Sequence, residues 1–142
     1  MKIIVFGAGS IGCYIGGALL SSGADVLLIG RARMHARIAL EGLDLTDLHG
    51  RRVQLAGTDV PYVEDPASLA DADLILVTVK SADTATAAQA IRQHAKSNAL
   101  VLSLQNGIGN VDCLRAAFIS GVLFSYCCNN SFIVISLFVL QI

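Results

Sequence analysis

The chain begins with a short apolar run, Lys2–Phe6 (KIIVF), that stops on glycine and continues as Gly7-Ala8-Gly9-Ser10-Ile11-Gly12. No other segment constrains the fold as strongly. A β-branched and aromatic run that halts at glycine reads as a buried strand. From Ser10 to Ser22 small and apolar residues recur at helical spacing (Ile11, Ile15, Ala18, Leu19), and Ser21-Ser22-Gly23 stops the helix. Strand, G-x-G-x-x-G and helix in that order form the turn that receives a dinucleotide pyrophosphate. Gly7 permits the tight exit from the strand, Gly9 lets the backbone approach the phosphates, and Gly12 lets the helix lie close on the sheet. Backbone N–H groups of the turn and the positive end of the helix then face the phosphates.

The rest of the chain repeats the alternation. Asp25–Ile29 (DVLLI) reads as a second strand and Arg31–Leu40 as a helix ending near Gly42. Between Leu43 and Val63 the pattern favours short strands (LDLTDL, RRVQLAG). Leu74–Val79 (LILVTV) is a strand, Thr84–Ala95 a helix, Ala99–Leu104 (ALVLSL) a strand, and Asn110–Phe118 a helix. Strands that are apolar nearly throughout and alternate with helices build a mainly parallel sheet covered on both faces. The expected fold is α/β, a Rossmann-type doubly wound sheet, and 142 residues suit one such domain.

Which dinucleotide fits depends on the end of the second strand. An NAD site places Asp or Glu there, roughly twenty residues past the motif, to bind the ribose 2′-hydroxyl. Here DVLLI runs into Gly30-Arg31-Ala32-Arg33, with no acid at its tip. A guanidinium can take a 2′-phosphate bidentately and stack on adenine, which favours NADP (NADPH) with Arg31 as the contact. Two further polar residues close strands on the side where doubly wound sheets bind ligands: Lys80 after LILVTV, and Asn106 after LVLSLQ. Spacing alone leaves Lys80 equally readable as a charge reaching water, and Asn106-Gly107 as an ordinary turn.

GAGSIGCYIGG, Arg31, Val77-Thr78-Val79-Lys80 and Gln105-Asn106-Gly107-Ile108-Gly109 together resemble ketopantoate reductase (2-dehydropantoate 2-reductase) over roughly residues 1–118. The resemblance implies that Gly7–Gly12 and Arg31 hold NADPH, that Lys80 lies near the nicotinamide ribose and the substrate, and that Asn106 contacts both. The substrate would be a small-molecule 2-keto acid, and the activity the reduction of 2-dehydropantoate to pantoate on the way to pantothenate. In that family the proton donor is a lysine on a second, helical domain. No lysine follows Lys96 here, so that role carries over to no residue of this chain, which is expected to bind cofactor without efficient turnover. The alternatives are a non-catalytic NADP-binding or regulatory module and a reductase of another 2-keto acid.

All ten basic and eleven acidic residues lie at or before Arg115, so residues 119–142 differ in composition from the rest. Three readings compete for that segment. A membrane span is disfavoured because Asn129-Asn130-Ser131 interrupts it and the apolar runs are too short for a bilayer. A rearranged final strand over Gly121–Tyr126 fits part of it. The loss of charge together with the loss of resemblance near Phe118 favours a tail that is not family sequence. FIVISLFV, if exposed, has the composition of an aggregation-prone segment.

A net charge of −1 argues against a nucleic-acid partner. Four cysteines without C-x-x-C spacing, and too few apolar residues before the glycine turn for a secretory signal, make a reducing, cytoplasmic setting the expectation. Nothing in the pattern sets an oligomeric state. His35, His49 and His94 lack metal-ligand spacing and read as surface residues. Cys13 sits near a helix N-terminus, where thiol pKa values fall, but a packing role is favoured over a reactive one.

Overall fold

A computed structural model describes residues 1–46, 49–50, 52–106, 109–117, 122–129 and 132–139, with Ala117 and the last two spans described as backbone only. Gly107, Ile108 and Phe118 lie outside the described residues. Two β-α units open the chain: β1 (Lys2–Phe6), α1 (Ser10–Ser21), β2 (Asp25–Ile29) and α2 (Ala32–Glu41). A hairpin of β3 (Leu43–Thr46) and β4 (Arg52–Leu55) follows, then the two-residue β5 (Tyr62–Val63). The second half runs β6 (Leu74–Val77), α3 (Thr84–His94), β7 (Leu100–Ser103), α4 (Asn110–Ala117), β8 (Val122–Asn129) and β9 (Phe132–Val139).

Seven of these strands form one sheet in the order β5-β2-β1-β6-β7-β8-β9, parallel throughout except for the antiparallel β8–β9 pair. Leaving β9 aside, this is the 3-2-1-4-5-6 order of a dinucleotide-binding sheet, and the winding reverses between β1 and β6. The expected α/β Rossmann-type architecture is the observed one. The first strand of the apolar tail pairs with β7 in parallel register (Leu100↔Val122 to Ser103↔Ser125), and the second returns beside it.

The central strands β1, β2 and β6 are buried on both faces, as their apolar runs require. Ile4, Ile75, Val77 and Val101 point to one side, where Leu69, Ala88, Ile91 and Leu114 cover them. Ile3, Val5, Val26, Leu28 and Leu76 point to the other, beneath Cys13, Ile38 and Tyr62. The buried face of α1 is Gly12, Cys13, Gly16 and Gly17, two pairs at i, i+4. A Cβ on Gly16 would collide with Leu28, so the helix rests closer to the sheet than larger residues would permit. Cys13 is buried, its thiol pointing at Ala8 O (3.5 Å), and burial pushes that thiol up from its ordinary value. Packing, not reactivity, is its role.

Register brings the strand ends level. Phe6 pairs with Ile29 on one side and Val77 on the other, and Val77 pairs with Ser103. The residues that follow Phe6, Ile29, Val77 and Ser103 therefore emerge along one edge of the sheet.

Candidate dinucleotide site

The glycine turn starts from that edge. Gly7 N and Ala8 N both donate to Ile29 O (2.9 and 3.0 Å), which ties the turn to the tip of β2. Gly7 has φ +116°, a conformation open to glycine and costly for other residues, and a Cβ there would lie 2.5 Å from Val79 N. Gly12 is hemmed in by Gly7 O and by Thr78 Oγ1, which would be 2.8 Å from a Cβ. Gly9 differs: a Cβ on it would meet no protein atom within 4 Å. No side chain caps α1, so the N–H groups of its first turn, from Ser10, Ile11 and Gly12, are left for another acceptor. An unobstructed glycine before an uncapped helix N-terminus fits a pyrophosphate.

Thr78 holds this turn in place. The ladder of β6 ends at Val77, two residues short of the expected strand end. Thr78 N donates to Phe6 O (2.9 Å), and Thr78 Oγ1 donates to Gly7 O (2.8 Å).

Arg31 stands at the tip of β2 as the residue before α2, and Tyr62 fixes its backbone by donating its hydroxyl to Arg31 O (3.2 Å). Only glycine fits at position 30, since a Cβ would overlap that hydroxyl. Burial first, then the nearby Cys13 and Glu64, push the Tyr62 phenol up to about 12. His35 stacks on Tyr62 with ring centroids 4.8 Å apart, and its Nδ1 lies 3.2 Å from Glu64 Oε1. The Arg31 guanidinium is paired: Nη2 donates to Asp83 Oδ2 at 3.0 Å.

Lys80 and Asn106 each lie three residues beyond the paired Val77 and Ser103, and a buried polar chain holds their loops together. Ser103 Oγ donates to Gln105 Oε1 (3.1 Å), and Gln105 Nε2 donates to Val79 O (2.9 Å) and Thr84 Oγ1 (2.8 Å). Thr84 Oγ1 donates to Asn110 Oδ1 (3.1 Å), and Asn110 Nδ2 donates to Ser81 Oγ (3.1 Å) and Asn106 O (2.9 Å). Ser81 Oγ also donates to Asn106 O (3.2 Å). Among the described residues no buried side-chain polar atom lacks a partner. The ammonium of Lys80 and the amide of Asn106 are exposed, and among the described residues neither has an ion pair or hydrogen bond.

The structure thus gathers Gly7–Gly12, Arg31, Lys80 and Asn106 along one sheet edge. Sequence reasoning did not find Asp83, Tyr62 or the Gln105–Thr84–Asn110 chain, and it met Thr78 only as part of the motif around Lys80. For Gln105 a signal was available, a polar residue continuing an apolar strand toward Asn106. Among the described residues no group of three or more His, Cys, Asp or Glu is arranged to hold a metal, and no helix is long and apolar enough to cross a membrane.

A doubly wound sheet with this strand order, a glycine turn at its switch point and an uncapped helix behind it defines a dinucleotide-binding domain. The chain matches the family model of ketopantoate reductase PanE/ApbA over residues 3–136, past the point near Phe118 where the resemblance was expected to end. It belongs to that family, a family of oxidoreductases. It is 40% identical over 116 residues to the 2-dehydropantoate 2-reductase of Halobacterium salinarum, covering 80% of this chain and 37% of that protein. The corresponding enzyme of Pyrococcus abyssi is 40% identical over 112 residues, 79% of this chain and 35% of its own length. The chain therefore spans little more than a third of the curated relatives it matches. Among solved structures, a PanE/ApbA family ketopantoate reductase from Ralstonia eutropha superposes with TM-score 0.76 at 39% identity, covering 87% of this chain and 41% of that one. D-mandelate dehydrogenase in complex with NADH and anilino(oxo)acetate gives TM-score 0.69 at 30% identity, over 88% and 40%.

Proposed function

We propose that this chain is the cofactor-binding part of an NADPH-dependent 2-dehydropantoate 2-reductase, acting in the cytoplasm on a small-molecule 2-keto acid. One observation carries the reading: the glycine turn, a guanidinium at the tip of β2, and the Lys80 ammonium and Asn106 side-chain amide, unpaired among the described residues, lie along the same edge of the sheet. In this reading Ala8, Gly9, Ser10, Ile11 and Gly12 cradle the pyrophosphate between the carboxyl end of β1 and α1, and Gly7 sets the turn. Arg31 takes the 2′-phosphate through the N–H groups not engaged by Asp83.

NADPH supplies a hydride to the keto carbon when bound. What this chain adds is position and charge. The Lys80 ammonium offers three donors on the loop next to the one that carries the Asn106 amide, two groups suited to a ribose hydroxyl and to the oxygen and carboxylate of a 2-keto acid. The polar chain through Gln105, Thr84 and Asn110 holds the backbones at Ser81 and Asn106 in register before a ligand arrives. In the family the chain resembles, the proton donor for the developing alkoxide is a lysine of a second, helical domain, and no lysine follows Lys96 here, so turnover by these 142 residues is expected to be negligible.

The test is a fluorescence titration of the purified chain with NADPH and NADH, followed by an assay of NADPH loss with 2-dehydropantoate. Saturable NADPH binding with negligible turnover is expected. Binding of neither dinucleotide by a folded chain would end the reading, and turnover at the rate of a full-length enzyme would end the argument about the proton donor. A reductase of another 2-keto acid is the second reading, favoured by the similarity to D-mandelate dehydrogenase, whose structure holds anilino(oxo)acetate. Competition between that compound and 2-dehydropantoate for the NADPH-loaded chain separates the two.

A further inference from the structure

The sequence shows no acid at the tip of β2, and the structure brings one there from elsewhere. β2 and β6 flank β1 on opposite sides, so the contact between Arg31, after β2, and Asp83, after β6, reaches across the carboxyl end of β1. That is the strand leading into the glycine turn. Both partners are held by their backbones. Tyr62 bonds Arg31 O, and Asp83 N donates to Lys80 O (2.8 Å), closing the short 3-10 turn Ser81–Asp83 just before α3. The next residue, Thr84, is buried within the polar chain beneath. The Asp83 carboxylate caps no helix N–H, so its contact with Arg31 is the one hydrogen bond it makes among the described residues. The side chains are 82% and 45% exposed, within reach of a ligand lying along the sheet edge.

We propose that Asp83 is a specificity-determining residue of the cofactor site, setting how strongly the chain prefers a dinucleotide with a 2′-phosphate over one without. The proposal rests on the reading of Arg31 given above. The carboxylate occupies one guanidinium N–H and places a negative charge beside the position a 2′-phosphate would take. NADPH must share the guanidinium with Asp83 and meet its charge. NADH brings no phosphate to that position and is indifferent to both effects. Asp83 thus lowers NADPH affinity while leaving NADH affinity alone, and narrows the preference that Arg31 creates.

The test titrates the full chain, Asp83→Asn, Asp83→Ser and Arg31→Ala with NADPH and with NADH at low and high salt. Asparagine keeps the size and can still accept from Arg31, but removes the charge. The expected result is NADPH binding about 3- to 5-fold tighter in Asp83→Asn, the scale of one exposed charge pair, with NADH unchanged within about 2-fold. The gain should shrink in high salt, because exposed charges are screened. Thermal melts of both Asp83 variants establish that they are folded, and Asp83→Ser should reproduce the direction. An unchanged or reduced NADPH-to-NADH ratio in both Asp83 variants overturns the inference. So does a selective loss of NADH affinity, which would make the carboxylate a ribose-hydroxyl acceptor. If Arg31→Ala leaves the ratio untouched, the reading of Arg31 falls as well. If Arg31→Ala abolishes the preference while Asp83→Asn does nothing, the role of Asp83 alone is refuted.

Discussion

Adding one methyl group to the glycine turn at two positions separates packing from binding. At Gly12 the new Cβ would overlap Gly7 O and lie 2.8 Å from Thr78 Oγ1. Neither neighbour can step aside cheaply, since one is backbone and the other is the hydroxyl that donates to it. Overpacking of this kind costs about 1–3 kcal/mol. Loss of the Thr78–Gly7 hydrogen bond adds about 1 kcal/mol. Against this, alanine gains about 0.8–1 kcal/mol over glycine inside a helix. Gly12→Ala should therefore destabilise the chain by about 1–3 kcal/mol and shift the turn. At Gly9 the Cβ would meet nothing within 4 Å. The weaker N-cap costs a few tenths to about 1 kcal/mol, offset by about 0.4–1 kcal/mol from a stiffer unfolded chain. Gly9→Ala should leave stability within about 0.5 kcal/mol of the parent. Urea denaturation of the three proteins gives the stabilities, and NADPH fluorescence gives the affinities. Gly9→Ala is expected to stay fully folded yet bind NADPH at least about tenfold more weakly, the loss of roughly 1.4 kcal/mol of phosphate contact. A Gly9→Ala chain that binds normally, or one as unstable as Gly12→Ala, would refute the assignment of these two glycines.

Thr78→Val keeps the shape and removes the donor to Gly7 O, so it should cost about 1–2 kcal/mol in urea melts and weaken NADPH binding severalfold. Gln105→Leu leaves Thr84, Ser103 and Val79 O short of a partner at a buried site, and a loss of about 2–4 kcal/mol is expected from the same measurement. The hydrogen bond from Lys96, then that from Lys2 N, hold the Asp73 carboxyl below its ordinary value. A lowered folded value means this stabilisation is full above about pH 4 and is lost as pH falls through the folded value. Melting temperatures followed into acid should fall less steeply for Asp73→Asn than for the parent. The Tyr62 phenol is raised from 10.0 to about 12, so its contribution is intact below pH 10 and disappears between pH 10 and about 12. Spectrophotometric titration should show a late phenolate step that Tyr62→Phe deletes.

The strands and the glycine turn were legible because each is written in a contiguous stretch. IIVF, VLLI and LILV are apolar without a break, and burial on both faces requires that. Helix ends fell within a residue or so of expectation: α3 over Thr84–His94, and α2 over Ala32–Glu41. Tyr62–Val63 is too short to leave a pattern, yet it carries the ring that fixes Arg31. Composition marked the last segment as different, but pairing between β8 and β7 is a matter of register, which charge content does not encode. The site divided the same way. Arg31, Lys80 and Asn106 sit at strand ends that local pattern identifies. Asp83 meets Arg31 across 52 positions of sequence, and Thr78 meets Gly7 across 71, contacts that only the order of the strands creates.

The polar chain beneath Lys80 and Asn106 also bears on how such a chain can change over generations. Its members come from β7, α3, α4, the short turn before α3 and the loop after β7, and each side chain in it has a hydrogen-bond partner. A lone replacement of Gln105, Thr84 or Asn110 orphans a buried group, whereas a matched exchange at two of them need not. Relatives carrying a different residue at position 105 should therefore differ at 84 or 110 too, and this part of the sequence should drift as a block.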